Sequence, residues 1–189
     1  MNAAGTRPRN ITAGGRGHPY HATQPAWSPS GSKIVFVDDD LFVVNADGSG
    51  LKQLTDIART PGVGNYAPAW SPDGKTIVFV RTTGDKTGDP FIGGELWAIN
   101  SDGSRLRPLG VAGTDPDWSP DSLRLTFASN RNGNLDIYVT NADGSGQRRL
   151  ADRPGTEDYG LVWSPDGSMI VFASQASVTN SALWVMNTN

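Results

Sequence analysis

The sequence predicts an all-β protein, a β-propeller with four four-stranded blades. Three recurrences carry that prediction. Trp-Ser-Pro occurs four times, beginning at Trp27, Trp70, Trp118 and Trp163, with spacings of 43, 48 and 45 residues. A phenylalanine follows nine residues after each tryptophan, at Phe36, Phe79, Phe127 and Phe172. An apolar-aromatic pair then recurs (Leu41-Phe42, Leu96-Trp97, Ile137-Tyr138, Leu183-Trp184), with Asn45, Asn100, Asn141 or Asn187 three residues beyond the aromatic. A fixed period of roughly 40–45 residues, each holding four short strands, is the signature of a propeller blade.

The elements follow in order within each unit. Strand A ends on the tryptophan. A Ser-Pro-Asp-Gly turn follows, in which proline presets φ and glycine accepts a positive φ. Strand B is rich in β-branched residues, at 33–37, 76–80, 124–128 and 169–173. Strand C carries the aromatic. Asn-x-Asp-Gly-Ser turns at 45–49, 100–104 and 141–145 reverse the chain into strand D, which holds Leu54, Leu109 or Leu150. No segment keeps a 3.6-residue period over three turns, so helices are excluded. The blades are expected at 24–55, 67–110, 115–151 and 160–189.

Residues 1–12 repeat the spacing of a strand D. Gly5 precedes Ile11 by six residues, as Gly48 precedes Leu54, and Ile11 precedes Trp27 by sixteen, as Leu54 precedes Trp70. The fourth unit has no strand D of its own. The expectation is a ring closed by the N-terminal strand completing the last blade. The alternative is two chains forming an eight-bladed ring, a homodimer. Either closure removes exposed sheet edges.

Composition excludes several function classes. Among 189 residues, 16 Lys and Arg stand against 19 Asp and Glu, a net charge of −3. No basic face for nucleic acid follows from that balance. Cysteine is absent, which excludes disulfides, thiolate metal sites and a cysteine nucleophile. No apolar run is long enough for membrane insertion, and residues 1–10 hold no apolar segment of a signal peptide.

Trp-Ser-Pro-Asp-Gly-Lys at 70–75, Ile-Val-Phe at 77–79, and Leu-Trp or Ile-Tyr ahead of Asn-x-Asp-Gly-Ser together resemble the TolB-type, WD-repeat-like propeller repeat. The resemblance covers nearly the whole chain. It implies a propeller that is often periplasmic or extracellular, that binds other proteins, and whose repeats carry no chemistry. It also implies use as a non-catalytic part of larger enzymes, including serine peptidases of the prolyl-oligopeptidase type. TolB itself has six blades and an additional N-terminal domain, whereas this chain has four repeats. Ser30 stands where the turn aspartate is expected, and Ser122 where the turn glycine is expected.

The repeated residues are read as structural: tryptophans between blades, phenylalanines in the core, turn residues for backbone geometry. Function is expected where the repeats differ. Strand alternation puts the D–A and B–C connections on one face. There the sequence places His18, Tyr20, His21, Asn65, Tyr66, Asp115, Glu157, Asp158 and Tyr159, read as loop residues ringing the axial opening. The long B–C insertion at 81–94 adds an apolar candidate contact, Phe91 and Ile92. Asn130, Asn132, Asn134 and Asp136 alternate like early calcium ligands, but the distal bidentate glutamate is missing, and a hairpin loop is the better reading. Asp38-Asp39-Asp40 reads as a solvated turn. Catalytic motifs are absent: there is no Gly-x-Ser-x-Gly and no His-Glu-x-x-His. Gly74-Lys75-Thr76 lacks the upstream glycine and helix of a phosphate loop. No cofactor is implied. The expected function is a non-catalytic scaffold for a protein or small polar ligand.

Overall fold

Tight turns and β-branched runs produce fifteen strands and no helix among the described residues of the computed structural model, which are 8–12, 22–57, 62–83, 94–177 and 179–188. They form four antiparallel sheets in chain order. The first holds β1 (Thr23–Trp27), β2 (Lys33–Asp38), β3 (Asp40–Asn45) and β4 (Lys52–Gln53). The second holds β5 (Val63–Trp70), β6 (Thr76–Thr83), β7 (Glu95–Asn100) and β8 (Arg107–Ala112). The third holds β9 (Thr114–Trp118), β10 (Arg124–Ser129), β11 (Asp136–Asn141) and β12 (Arg148–Arg149). The fourth has three strands, β13 (Glu157–Trp163), β14 (Met169–Ser177) and β15 (Asn180–Asn187).

Each sheet is an up-and-down blade. Its first strand contacts the first strand of the next, β1 with β5, β5 with β9 and β9 with β13, so these strands gather about one axis. The turns owe their shape to local side chains. In the second blade the Ser71 hydroxyl donates to Asp73 Oδ1 at 2.6 Å, and Asp73 Oδ1 accepts from the Lys75 amide at 3.0 Å. In each Asn-x-Asp-Gly-Ser turn the aspartate accepts from the serine amide two residues on. Ser122, the serine in place of glycine, keeps the turn at φ 62°.

The core lies in the seams between blades. One seam joins Val35, Val37, Leu41, Val43 and Leu54 of the first blade to Trp70, Ile77, Phe79 and Ile99 of the second. The next joins Val78, Val80, Leu96, Ala98, Leu109 and Val111 to Trp118, Leu125, Phe127 and Tyr138. The third joins Ala128, Leu135, Ile137 and Val139 to Leu161, Trp163, Ile170 and Phe172. Phe36, Phe79, Phe127 and Phe172 are all buried, as their spacing predicts.

Two expectations meet a different outcome. Trp70, Trp118 and Trp163 are buried between blades, but Trp27 is 59% exposed, because among the described residues no blade packs against it. The strand expected at 1–12 is not formed in its described part: residues 8–12 belong to no strand, and among the described residues β15 pairs only with β14.

Candidate functional site

The first strand of every blade carries a register shift ahead of its tryptophan. Gln24, Ala67, Asp115 and Gly160 sit there at φ 49°, 47°, 49° and 64°. Three of these are not glycine, and all three precede proline (Gln24-Pro25, Ala67-Pro68, Asp115-Pro116). Non-glycine residues held at positive φ are uncommon and are tolerated where surrounding contacts fix them. Here the fixing contacts cross between blades. Gln24 Oε1 accepts from the Ala67 amide at 2.7 Å, and Asp115 Oδ2 accepts from the Gly160 amide at 3.3 Å. Asp117 Oδ2 accepts from the Trp163 amide at 2.9 Å. The bulge thus frees a backbone donor on one blade, and the preceding blade supplies its acceptor. Gln24 and Asp117 escaped the sequence reading, although the recurring X-Pro before Trp marked the place.

Burial pushes the carboxyls of Asp115 and Asp117 above the usual carboxylate range, against the amide hydrogen bonds that pull them down. A carboxyl whose folded pKa lies above its unfolded value stabilises the fold most below the unfolded pKa, and this is lost as pH rises through the folded one. Asp117→Asn keeps an acceptor for the Trp163 amide but removes the buried charge. The variant is therefore expected to gain stability over the parent at pH 7 and to lose that advantage at pH 3. Denaturant unfolding at both values measures it; an advantage that is larger at pH 3 contradicts the assignment.

The remaining candidates group in inter-blade clefts on the face of the D–A and B–C connections. Asn65 and Tyr66 line a cleft of 270 Å³ with Thr23, Val37, Asp38 and Asp39. Asn65 is fully buried: its amide nitrogen donates to the Asp39 carbonyl at 3.0 Å, and its Oδ1 accepts from Arg81 at 3.0 Å. Glu157 lines a cleft of 500 Å³ with Asn130, Gly133, Leu135, Gly155 and Gln175–Ser177. Its Oε2 accepts from the Leu135 amide at 2.7 Å. Tyr159 donates to Gln175 Oε1 at 3.1 Å. Asp158 is fully buried; one oxygen accepts from Thr156 at 3.2 Å, and Oδ2 has no hydrogen-bond partner among the described residues.

Asn65, Tyr66, Asp115, Glu157, Asp158 and Tyr159 are thus strand residues, not loop residues as the sequence suggested, because β5, β9 and β13 begin ahead of the expected starts. His18, Tyr20, His21, Phe91 and Ile92 lie outside the described residues. The Asp38–Asp40 turn is not simply solvated. Asp40 is buried, and burial raises its pKa although it accepts from Thr55, Gln53 and the Ile57 amide. It anchors the D–A connection. Asp136 takes the same position in the third blade and pairs with Arg149 at 2.5 Å. That pairing and the bonds of Asn132 to Tyr138 and of Asn134 to Asp136 and Thr156 turn the calcium-like run inward. Among the described residues no group of three His, Cys, Asp or Glu is placed to hold a metal.

The opposite face is made of the repeated turns. A cleft of 540 Å³ lies there between the first two blades, lined by Ser28–Ser30, Ser32, Lys33, Trp70, Pro72–Gly74 and Ser101. Its carboxylate, Asp73, is held below the usual range by Ser71 and the Lys75 amide. In the fourth blade Ser164 and Ser168 bring Asp166 down to about 2. These carboxylates serve the turns.

Blades gathered by their first strands about one axis, with recurring Trp-Ser-Pro turns at one end, define a propeller-like repeat protein. Residues 109–189 match the family described as the TolB beta propeller domain. Over 62 residues, 31% of this chain, the sequence is 42% identical to the uncharacterized peptidase YuxL of Bacillus subtilis. Over 74 residues, 36% of the chain, it is 35% identical to the Tol-Pal system protein TolB of Anaeromyxobacter dehalogenans. The chain spans 9% and 16% of the length of these two relatives. The fold is similar to the crystal structure of TolB from Acinetobacter baumannii, with a TM-score of 0.70, 21% identity, and coverage of 88% of this chain and 41% of that one.

Proposed function

We propose that this chain is a non-catalytic binding scaffold that takes a protein segment or small polar ligand on the face formed by the D–A and B–C connections, including the axial rim. The observation that carries this reading is the contrast between the two faces. One repeats the same locally satisfied turns. The other presents inter-blade clefts at related positions whose linings differ: Asp38, Asp39, Asn65 and Tyr66 in one, Asn130, Glu157 and Gln175 in another. A rigid scaffold with varied side chains at one end suits selective recognition. The match of residues 109–189 to the TolB beta propeller family supports the same reading, since the TolB-type resemblance implies protein binding, and an extracytoplasmic setting goes with it.

The test uses peptides selected from a displayed random library against the immobilised chain. A Tyr66→Ala/Glu157→Gln/Tyr159→Ala variant changes partly or fully exposed side chains. The selected peptides are expected to bind this variant at least about tenfold more weakly, a loss of roughly 1.4 kcal/mol, with the melting curve retained. Undiminished binding overturns the reading.

The similarity to a peptidase favours a second reading, in which this chain is the propeller portion of a larger hydrolase. Under both readings the 189-residue chain gives no peptide hydrolysis; turnover lost with substitution of a rim residue such as Asp117 would overturn both.

A further inference from the structure

Each seam inside this chain is built from the same two half-surfaces. The preceding blade offers one residue from strand B and two from strand C: Val35, Leu41 and Val43; then Val78, Leu96 and Ala98; then Thr126, Ile137 and Val139. All nine are at most 5% exposed. The following blade inserts its tryptophan, and Trp70, Trp118 and Trp163 are 6–8% exposed. The fourth blade presents the first kind of half-surface uncovered: Val171, Leu183 and Val185 are 38%, 79% and 62% exposed. The first blade presents the second kind uncovered, with Trp27 at 59%. Among the described residues no seam joins β13–β15 to β1–β4.

The first blade is also already fitted with part of a neighbour. Ile11 packs on Ile34, Phe36 and Val44. A Cβ on Gly48 would meet the Ile11 carbonyl at 3.2 Å, as one on Gly103 would meet Leu54 at 3.3 Å. Arg9 donates to the Ala46 carbonyl at 3.0 Å, as Lys52 donates to the Asp102 carbonyl at 2.6 Å. Residues 9–11 thus hold, against the first blade, the place that β4 and Leu54 hold against the second. The blade to which they would belong as fourth strand needs three more strands, and the fourth blade has three, with no described residue paired to the outer edge of β15.

We propose that a second copy of this chain supplies the missing half of each open seam. The fourth blade of one copy docks on the first blade of the other, and residues 9–11 of that other copy pair with β15. Two such contacts related by a two-fold axis close eight blades, within the usual range for propellers. The register follows from the three pairings inside the chain. Val43 lies opposite Lys52, Ala98 opposite Arg107, and Val139 opposite Arg148. The equivalent positions place Val185 of one copy opposite Arg9 of the other. A second copy fits because it carries, at matching positions, the tryptophan, the strand B and C residues and the strand D segment that fill the other three seams.

The experiment is light scattering on the 189-residue chain, with an Arg9→Cys/Val185→Cys variant oxidised in parallel; the parent has no cysteine to interfere. The expected mass is twice 20.1 kDa. The expected gel is a reducible band of two chains. A Leu183→Asp/Val185→Asp variant, whose sites are exposed in the single chain, is expected to keep its circular dichroism and fall to single-chain mass. A single-chain mass for the parent, or a disulfide formed within one chain, overturns the proposal; the latter would mean self-closure in a four-bladed ring. These readouts are separate from peptide binding, so either reading can fail alone.

Discussion

Trp163→Ala is expected to lower the free energy of unfolding by about 3–5 kcal/mol, the range for emptying a buried tryptophan site. Three losses coincide. The ring is 6% exposed and packs with Leu161, Ile170 and Phe172 of its own blade and with Leu135, Ile137 and Val139 of the third. Its indole N–H donates to the Thr126 hydroxyl at 2.9 Å, so a buried hydroxyl loses its donor and keeps only its own 3.4 Å bond to the Asp117 carbonyl. Arg124 lies over the ring at 5.0 Å and loses that face. The seam with the third blade is where the fourth blade is held in the single chain, so loosening it should release that blade before the rest. Denaturant unfolding followed by hydrogen exchange measures both effects. The expected pattern is early loss of protection in β13–β15 with β5–β8 still protected. Leu123→Ala, at a residue 65% exposed on a turn, serves as control and should stay within about 0.5 kcal/mol of the parent. Equal stability of the two variants would show that the tryptophan does not hold the seam.

The fold was legible because the same local signals occur four times. Proline and glycine in the Trp-Ser-Pro turns, β-branched strand B residues and the strand C aromatics each specify geometry within a few residues of themselves. Burial of a repeat residue is different, because it depends on the neighbouring blade. Trp27 and Trp163 share a motif and differ almost tenfold in exposure, 59% against 6%. Nothing local to Trp27 records that difference.

The candidate site was legible in part for a related reason. Each blade was expected to begin three residues ahead of its tryptophan, at 24, 67, 115 and 160, which left the residues before those points as loops. The chain instead continues the strand through a bulge, with Gln24, Ala67 and Asp115 at positive φ. Residues ahead of that bulge, such as Asn65 and Asp158, are therefore buried in strands. Asp40, read as part of a solvated turn, was misjudged in the same direction, and Asp136 at the equivalent place is buried too. Acidic residues near turns suggest solvent, but here Thr55 and Gln53, or Arg149, make burial tolerable. Those partners lie in the strand or connection that returns later in the chain, beyond the reach of a local pattern.

Gly144→Ala is the second substitution expected to have a large effect, and it probes the outer rim of a seam instead of its centre. Gly144 turns the chain between β11 and β12 at φ 89°. An alanine there incurs the positive-φ penalty, about 1–2 kcal/mol. It also drives a Cβ into the Leu109 carbonyl oxygen and to 2.9 Å from its carbonyl carbon, both backbone atoms of β8 in the blade before. A strand backbone cannot rotate aside as a side chain can, so one blade must move against the other, adding roughly 1–3 kcal/mol in the manner of an overpacked core. Gly74→Ala separates the two contributions: φ is 72° and nothing lies within 4 Å of the new methyl group. The expected order is Gly144→Ala well below Gly74→Ala, and Gly74→Ala below the parent, in the denaturant midpoint. If the two variants matched, the close approach of turn to neighbouring strand would carry no energetic weight. The equivalent contact of Gly48 with Ile11, on which the placement of residues 9–11 depends, would then lose its support as well.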